Sequence, residues 1–296
     1  VHINLEGTDV RIVGVGLQGL TMPKKQLDLG NSGTAMRLLA GMLSAQSFSS
    51  VLTGDESLRA RPMKRVTVPL SKMGSVINTE DGLPPLRIQG GNNLVGIDYT
   101  LPIASAQVKS ALLIAGLWAK GPTIVRSPGP SRDHTERMLK SMGVGMLNHT
   151  EEVVSLDGPA TLKPTDQTIP GDFSSAAFFI VAGLLASHEG LLIRNVGINP
   201  TRTGLLTILK KMGGSIDLLN KREFGTEPVA DIFVKKSKLK GIEIDQNLVP
   251  LAIDEFPVIF VAAAYADGYT TVAGAQELRY KESDRLHVMS IGLQEI

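Results

Sequence analysis

The sequence contains no cysteine. That excludes disulfides, thiolate metal ligands and a cysteine nucleophile. Aromatic residues make up only 4% of the chain, with a single tryptophan. Stacking platforms for single-stranded nucleic acid are therefore scarce. Neither sign of charge is in excess, since 30 Lys+Arg face 29 Asp+Glu. A surface that tracks a nucleic-acid backbone usually carries a basic surplus, so any anion site here must come from local clustering. No apolar run approaches the 18 or more residues of a membrane-spanning helix, and no signal-peptide pattern opens the chain. The expectation is a cytoplasmic protein with neither a membrane nor a nucleic-acid partner. Its 296 residues, 43% of them apolar, suffice for about two domains with sizeable cores.

An internal repeat sets the architecture. Small polar residues open an apolar helix, a β-rich run follows, and a second helix ends near Met-Gly. The first helices are expected from Ser32-Gly33-Thr34, Ser105-Ala106-Gln107, Ser174-Ser175-Ala176 and Asp254-Glu255-Phe256. The second helices close at Lys72-Met73-Gly74, Ser141-Met142-Gly143, Lys211-Met212-Gly213 and, in part, Ser290-Ile291-Gly292. The first helices are apolar nearly all round and should be buried on all sides. The second are amphipathic. Helices inside a shell of strands is the α/β arrangement this pattern predicts. A polar stretch ending near Thr165–Pro170 marks a domain boundary, giving domains 1–168 and 169–296.

Six stretches carry polar chemistry. Asp28 to Arg37 (Asp-Leu-Gly-Asn-Ser-Gly-Thr-Ala-Met-Arg) places Gly33 in the opening turn of a helix, where backbone N–H groups bind anions and the missing Cβ lets a ligand approach. Simple N-capping explains the same residues. Ser105-Ala106-Gln107-Val108-Lys109-Ser110 repeats the arrangement; Ser105 can donate to a phosphate and Gln107 can reach a ring hydroxyl. Arg59-Ala60-Arg61-Pro62 and Ser131-Arg132-Asp133-His134 each precede a second helix, and a guanidinium fork at one recurring position suits phosphate or carboxylate. Glu277 to Leu286 is the densest charged stretch, with a helix expected near Ser283. Ile253-Asp254-Glu255-Phe256-Pro257 sets two carboxylates at an otherwise apolar helix, as caps or as a positioned acid/base.

Taken together, Asn31-Ser32-Gly33-Thr34-Ala35-Met36-Arg37, Ser131-Arg132-Asp133-His134-Thr135-Glu136, Pro170-Gly171-Asp172-Phe173-Ser174-Ser175-Ala176 and Lys281-Glu282-Ser283-Asp284-Arg285-Leu286 resemble the signatures of EPSP synthases, in the same order, from about Gly14 to Gly292. The resemblance implies two domains of repeated βαβαββ units in an inside-out α/β barrel, as in enolpyruvyl transferases. It implies transfer of the enolpyruvyl group of phosphoenolpyruvate to the 5-hydroxyl of shikimate 3-phosphate, with release of phosphate and without metal or organic cofactor. Ser105, Gln107 and Arg132 would bind shikimate 3-phosphate. Gly33, Arg61, Gln107 and Arg285 would hold phosphoenolpyruvate. Asp254 would orient or deprotonate the 5-hydroxyl, Lys281 would contact shikimate 3-phosphate near the reacting centre, and Glu282 would handle the methylene proton. The room beside Gly33 would also favour glyphosate. A monomer is expected.

The resemblance has gaps. The family's N-terminal Lys-Ser…Arg motif and its C-terminal Arg and Lys have no counterpart between Val1 and Ile296. The chain therefore reads as a fragment, expected to be inactive or nearly so alone. Two other readings compete: a UDP-N-acetylglucosamine enolpyruvyl transferase, which normally relies on a cysteine absent here, and a non-catalytic βα repeat scaffold for a protein partner.

Overall fold

The computed structural model describes residues 1–150 and 152–296. The chain divides into two compact units, Val1–Thr165 and Asp166–Ile296.

The first unit opens with an exposed antiparallel hairpin of β1 (His2–Glu6) and β2 (Asp9–Val13). Two copies of one βαβαββ unit follow. The first runs β3 (Leu27–Asp28), α1 (Gly33–Leu43), β4 (Ser50–Thr53), the short α2 (Glu56–Arg59), α3 (Lys64–Lys72), β5 (Ile77–Glu80) and β6 (Leu83–Ile88). Its sheet has the order β3-β4-β6-β5, with β3 parallel to β4 and the other pairs antiparallel. The second copy runs β7 (Asp98–Thr100), α4 (Ala106–Gly116), β8 (Gly121–Arg126), α5 (His134–Ser141), β9 (Met146–His149) and β10 (Val153–Gly158). Its order β7-β8-β10-β9 repeats the first, parallel pair included. The crossovers through α1 and α4 join the parallel neighbours β3–β4 and β7–β8, as parallel pairing requires.

Helices α1 and α4 pack on each other in one core with Met36, Ala40, Ala111, Leu112 and Leu113 fully buried. Gly41 marks their closest approach: a Cβ there would lie 2.2 Å from the Ala111 carbonyl oxygen. The amphipathic α3 turns Val66 and Leu70 inward and leaves Lys64, Arg65 and Val68 exposed.

The second unit repeats the scheme, with long strands in its first repeat and two-residue strands in its second. Helix α6 (Phe173–Ala186), β11 (Leu191–Gly197), α7 (Gly204–Lys211), β12 (Ser215–Phe224) and β13 (Glu227–Lys235) form one repeat, with sheet order β11-β13-β12. A parallel bridge from Gly171 to Val196 stands where the leading strand would be. The next repeat runs β14 (Glu243–Ile244), α8 (Phe256–Ala264), β15 (Thr271–Val272) and α9 (Arg285–Gln294), with β14 parallel to β15.

The α/β arrangement of repeated units is the expected one, with each repeat forming its own open sheet and no closed barrel of strands among the described residues. One expectation needs correction: not every first helix is buried all round. Phe178 and Phe179 of α6 are 62% and 60% exposed, because within its unit α6 contacts β11, β13 and α8 on one side only. No helix of the described residues is long and apolar enough to cross a membrane.

Candidate active site

In the first unit, Ser32 caps α1, its Oγ accepting from the Ala35 N–H at 3.1 Å. Capping and an anion site are compatible here, because two guanidinium groups converge on the same turn. A Cβ on Gly33 would lie 3.0 Å from Nη1 of Arg37 and 3.3 Å from Nη1 of Arg61. Arg61 donates to Asn31 Oδ1 at 2.7 Å, and Asn31 in turn donates to both carboxylate oxygens of Asp55 at 3.2 and 2.9 Å. The Arg61 Nε is buried without a partner, a costly arrangement unless something completes it.

Gln107, from the first turn of α4, bridges to this cluster. Its Oε1 accepts from Arg37 Nη1 at 2.5 Å, and its Nε2 donates to Thr34 Oγ1 at 2.7 Å. Burial, then repulsion from Arg65 and Arg61, lowers the Arg37 pKa from its usual value. Like charges gathered at a helix N-terminus, with its positive dipole end, form a site that an anion stabilises. Arg37 was not singled out from sequence. Its place four residues after Gly33, on the same helix face, was the signal available.

Ser105 caps α4, its Oγ accepting from the Val108 N–H at 3.4 Å, which leaves the hydroxyl proton free to be donated. It borders a shallow recess of about 270 Å³ that is also lined by Lys64, Arg65 and Tyr99. Arg132 lies half-buried in the turn before α5. That turn is tied to α4 by Lys109, whose Nζ lies 2.6 Å from Glu136 Oε1 and 3.4 Å from the Ser131 carbonyl oxygen.

In the second unit the four candidates meet. Helix α9 starts at Arg285, two residues beyond the expected start, with Asp284 capping it at the His287 N–H. Arg285 forms a bidentate pair with Glu282 (2.8 and 2.9 Å) and reaches Asp254 Oδ1 at 3.1 Å. Lys281 Nζ lies 3.9 Å from the same oxygen. Helix α8 has no side-chain cap, so Asp254 is not a capping residue. Its carboxylate faces a guanidinium instead. Partial burial opposes the charge on Arg285, but Glu282 and then Asp254 outweigh it and raise its pKa.

The neighbouring Glu255, 2% exposed, accepts from Ser174 Oγ at 2.5 Å. Ser174 also accepts from Arg202 at 2.7 Å. Arg202 precedes α7 as Arg61 and Arg132 precede α3 and α5. Arg61, Arg202 and Arg285 are each brought from the second-helix side toward the start of a first helix. Arg202 and Arg285 meet carboxylates there, whereas Arg61 meets the amide of Asn31.

This fold is shared with the enolpyruvyl transferases: NikO of Streptomyces tendae superposes with a TM-score of 0.62 at 19% identity, covering 79% of this chain and 55% of that one. The sequence narrows the class. All of residues 1–296 match the profile of EPSP synthase (3-phosphoshikimate 1-carboxyvinyltransferase), and the chain belongs to that family. The 3-phosphoshikimate 1-carboxyvinyltransferase of Legionella pneumophila (strain Corby) is 54% identical over 99% of this chain and 68% of its own length. That of Hydrogenovibrio crunogenus is 55% identical over 98% and 67%. The EPSP synthase structure from Acinetobacter baumannii superposes with a TM-score of 0.86 at 52% identity, covering 99% of this chain and 67% of that one. The chain thus spans about two thirds of the length of these relatives. Family membership removes the scaffold and the nucleotide-sugar transferase as readings of the chain. The family's enzymes move an enolpyruvyl group within the shikimate pathway.

Proposed function

We propose that this chain carries residues for transfer of the enolpyruvyl group of phosphoenolpyruvate to the 5-hydroxyl of shikimate 3-phosphate. The two clusters divide the work. In the first unit, Gly33, Arg61 and Gln107, with Arg37 added, take the phosphate and carboxylate of phosphoenolpyruvate. Ser105, Gln107 and Arg132 take shikimate 3-phosphate. In the second unit, Asp254 receives the proton of the 5-hydroxyl as its oxygen bonds to C2 of phosphoenolpyruvate. Glu282 delivers a proton to the methylene carbon. Breaking the bond from C2 to the phosphate oxygen, with the proton held by Asp254 passing to the departing phosphate and the methylene proton returning to Glu282, leaves the enol ether and free phosphate. Lys281 and Arg285 offset the charge of both carboxylates and of the substrate. An anion engaging Arg285 competes with Glu282 for the guanidinium and so frees Glu282 for proton transfer.

The observation that carries this reading is the convergence of Arg37, Arg61 and Gln107 on the α1 N-terminus at Gly33. Calorimetry tests it. The chain should bind shikimate 3-phosphate, and Arg132→Ala should weaken that binding by about tenfold or more, as expected for losing a charge-assisted bond. No heat of binding with either shikimate 3-phosphate or phosphoenolpyruvate would defeat the reading.

A further inference from the structure

The one buried charge pair of α4 has no place in the chemistry above. Lys109 and Glu136 are 7% and 1% exposed at their side chains and sit 2.6 Å apart. A buried ion pair is seldom a source of net stability, and an apolar pair of similar volume often serves as well. Its presence therefore asks for another reason. Lys109 lies in the turn of α4 that follows Ser105 and Gln107, and its Nζ also donates to the Ser131 carbonyl oxygen at 3.4 Å. Glu136 belongs to the first turn of α5. One residue before it, Thr135 donates from Oγ1 to Ser110 Oγ on α4 at 2.7 Å. The turn Ser131–Asp133 is thus fastened to α4 from both ends: by its own carbonyl on one side and by the opening of α5 on the other. Arg132 is the residue between these fastenings. Around the pair, Ser131 Oγ and Glu136 Oε2 are buried without hydrogen-bond partners. A site shaped for stability alone would not leave them so.

We infer that Lys109, clamped to Glu136, is a positioning residue that sets the Ser131–Asp133 turn, and with it the Arg132 guanidinium, against the helix start carrying Ser105 and Gln107. The inference rests on the proposed role of Arg132 in holding the phosphate of shikimate 3-phosphate. The phosphate and its sugar-like ring are read by different elements, Arg132 from the turn and Ser105 with Gln107 from α4. Their spacing must hold for both contacts to form at once, and a link between the two elements is what keeps it.

Changing one partner would strand a buried charge, so the test changes both: Lys109→Met with Glu136→Gln, which preserve volume and remove the ionic link. Calorimetry on the 296-residue chain compares shikimate 3-phosphate with shikimate, which lacks the phosphate, and thermal unfolding checks the fold. The expected result is a Tm near that of the parent chain, affinity for shikimate 3-phosphate lowered about tenfold or more, and affinity for shikimate within about twofold. Unchanged affinity for shikimate 3-phosphate would overturn the inference. So would an equal loss for both ligands, the mark of a merely structural role. Arg132→Ala separates the two levels. If it leaves shikimate 3-phosphate binding intact, the reading of Arg132 fails and the inference falls with it. If it weakens binding while the paired variant does not, only the positioning role fails. Should the paired variant not fold, Lys109→Met with Glu136→Leu, an apolar pair that strands no charge, decides by the same ratio of affinities: a selective loss for the phosphorylated ligand supports the clamp, and a parent-like ratio overturns it.

Discussion

Gly33 shows how much one residue can decide. The Cβ it lacks would meet the ends of two flexible side chains, Arg37 and Arg61, rather than backbone. Both can move aside at little cost to the fold, and alanine suits a helix better than glycine. Gly33→Ala should therefore leave the Tm unchanged or slightly raised. Phosphoenolpyruvate binding should weaken about tenfold, or ~1.4 kcal/mol, because the displaced guanidinium groups lose their geometry toward the anion. Shikimate 3-phosphate should be far less affected. Calorimetry with each ligand measures this, and unaltered phosphoenolpyruvate affinity would remove Gly33 from the site. The residue scale was also where sequence reading was sharpest. Gly33, Arg61 and Gln107, picked by motif, do meet, and so do Asp254, Lys281, Glu282 and Arg285. Arg37, Lys109 and Arg202 escaped because a lone cation in or near an apolar helix looks the same in sequence whether it is solvated or paired.

At the scale of elements, the sheet β11-β13-β12 carries its own polar device. Strands β11 and β12 shift register against β13 near Asn195 and Asn220, both at positive φ. Asp231 of β13 serves both irregularities. It accepts from the Asn195 N–H, from Asn220 Nδ2 and from Arg222 at 2.9, 3.0 and 2.9 Å. Arg222 also donates to the Asn220 carbonyl and to Asn195 Oδ1. The Arg222 guanidinium first, then the Asn195 N–H and the Asn220 amide, hold the Asp231 carboxyl far below the usual aspartate range. The folded chain therefore binds its proton less readily than the unfolded one. The stabilisation is complete above the unfolded value of about 4 and drains away as pH falls below it toward the folded value. Asp231→Asn should accordingly lower the Tm near neutral pH, and the gap to the parent chain should narrow between about pH 5 and pH 3. Thermal melts across that range check the sign; a gap that widens on acidification would refute it. The device is not legible in a local stretch of sequence, since the partners of Asp231 lie on two other strands.

At the scale of the whole molecule, each unit has its own buried core, and the stretch between them is exposed. Residues 161–166 are exposed coil, and Ile169 is 75% exposed. Such a segment is where a protease gains access before either core opens. Thermolysin should cut first at the Thr161–Leu162 bond, where Leu162 is exposed, because Pro170 protects the bond before Ile169, and should release two pieces that resist further digestion, detectable by mass spectrometry. Trypsin should spare the linker, because Lys163 is followed by proline. First cuts inside α4 or α6 would contradict two separately folded units.

The amino-acid order alone determined the repeat, the helix starts and the residue types gathered there. Those properties are local: hydrophobic period, capping chemistry and the placing of Gly and Arg within one turn, each legible within a dozen residues. The tertiary structure decided which charges meet. It paired Arg285 with Glu282 and Asp254, brought Arg37 to Gln107 across 70 residues, and buried Lys109 against Glu136. It also left one face of α6 open where the apolar pattern predicted burial. The reason is physical: an ion pair or a covered helix face depends on distances between elements far apart in the chain, and periodicity carries no record of them.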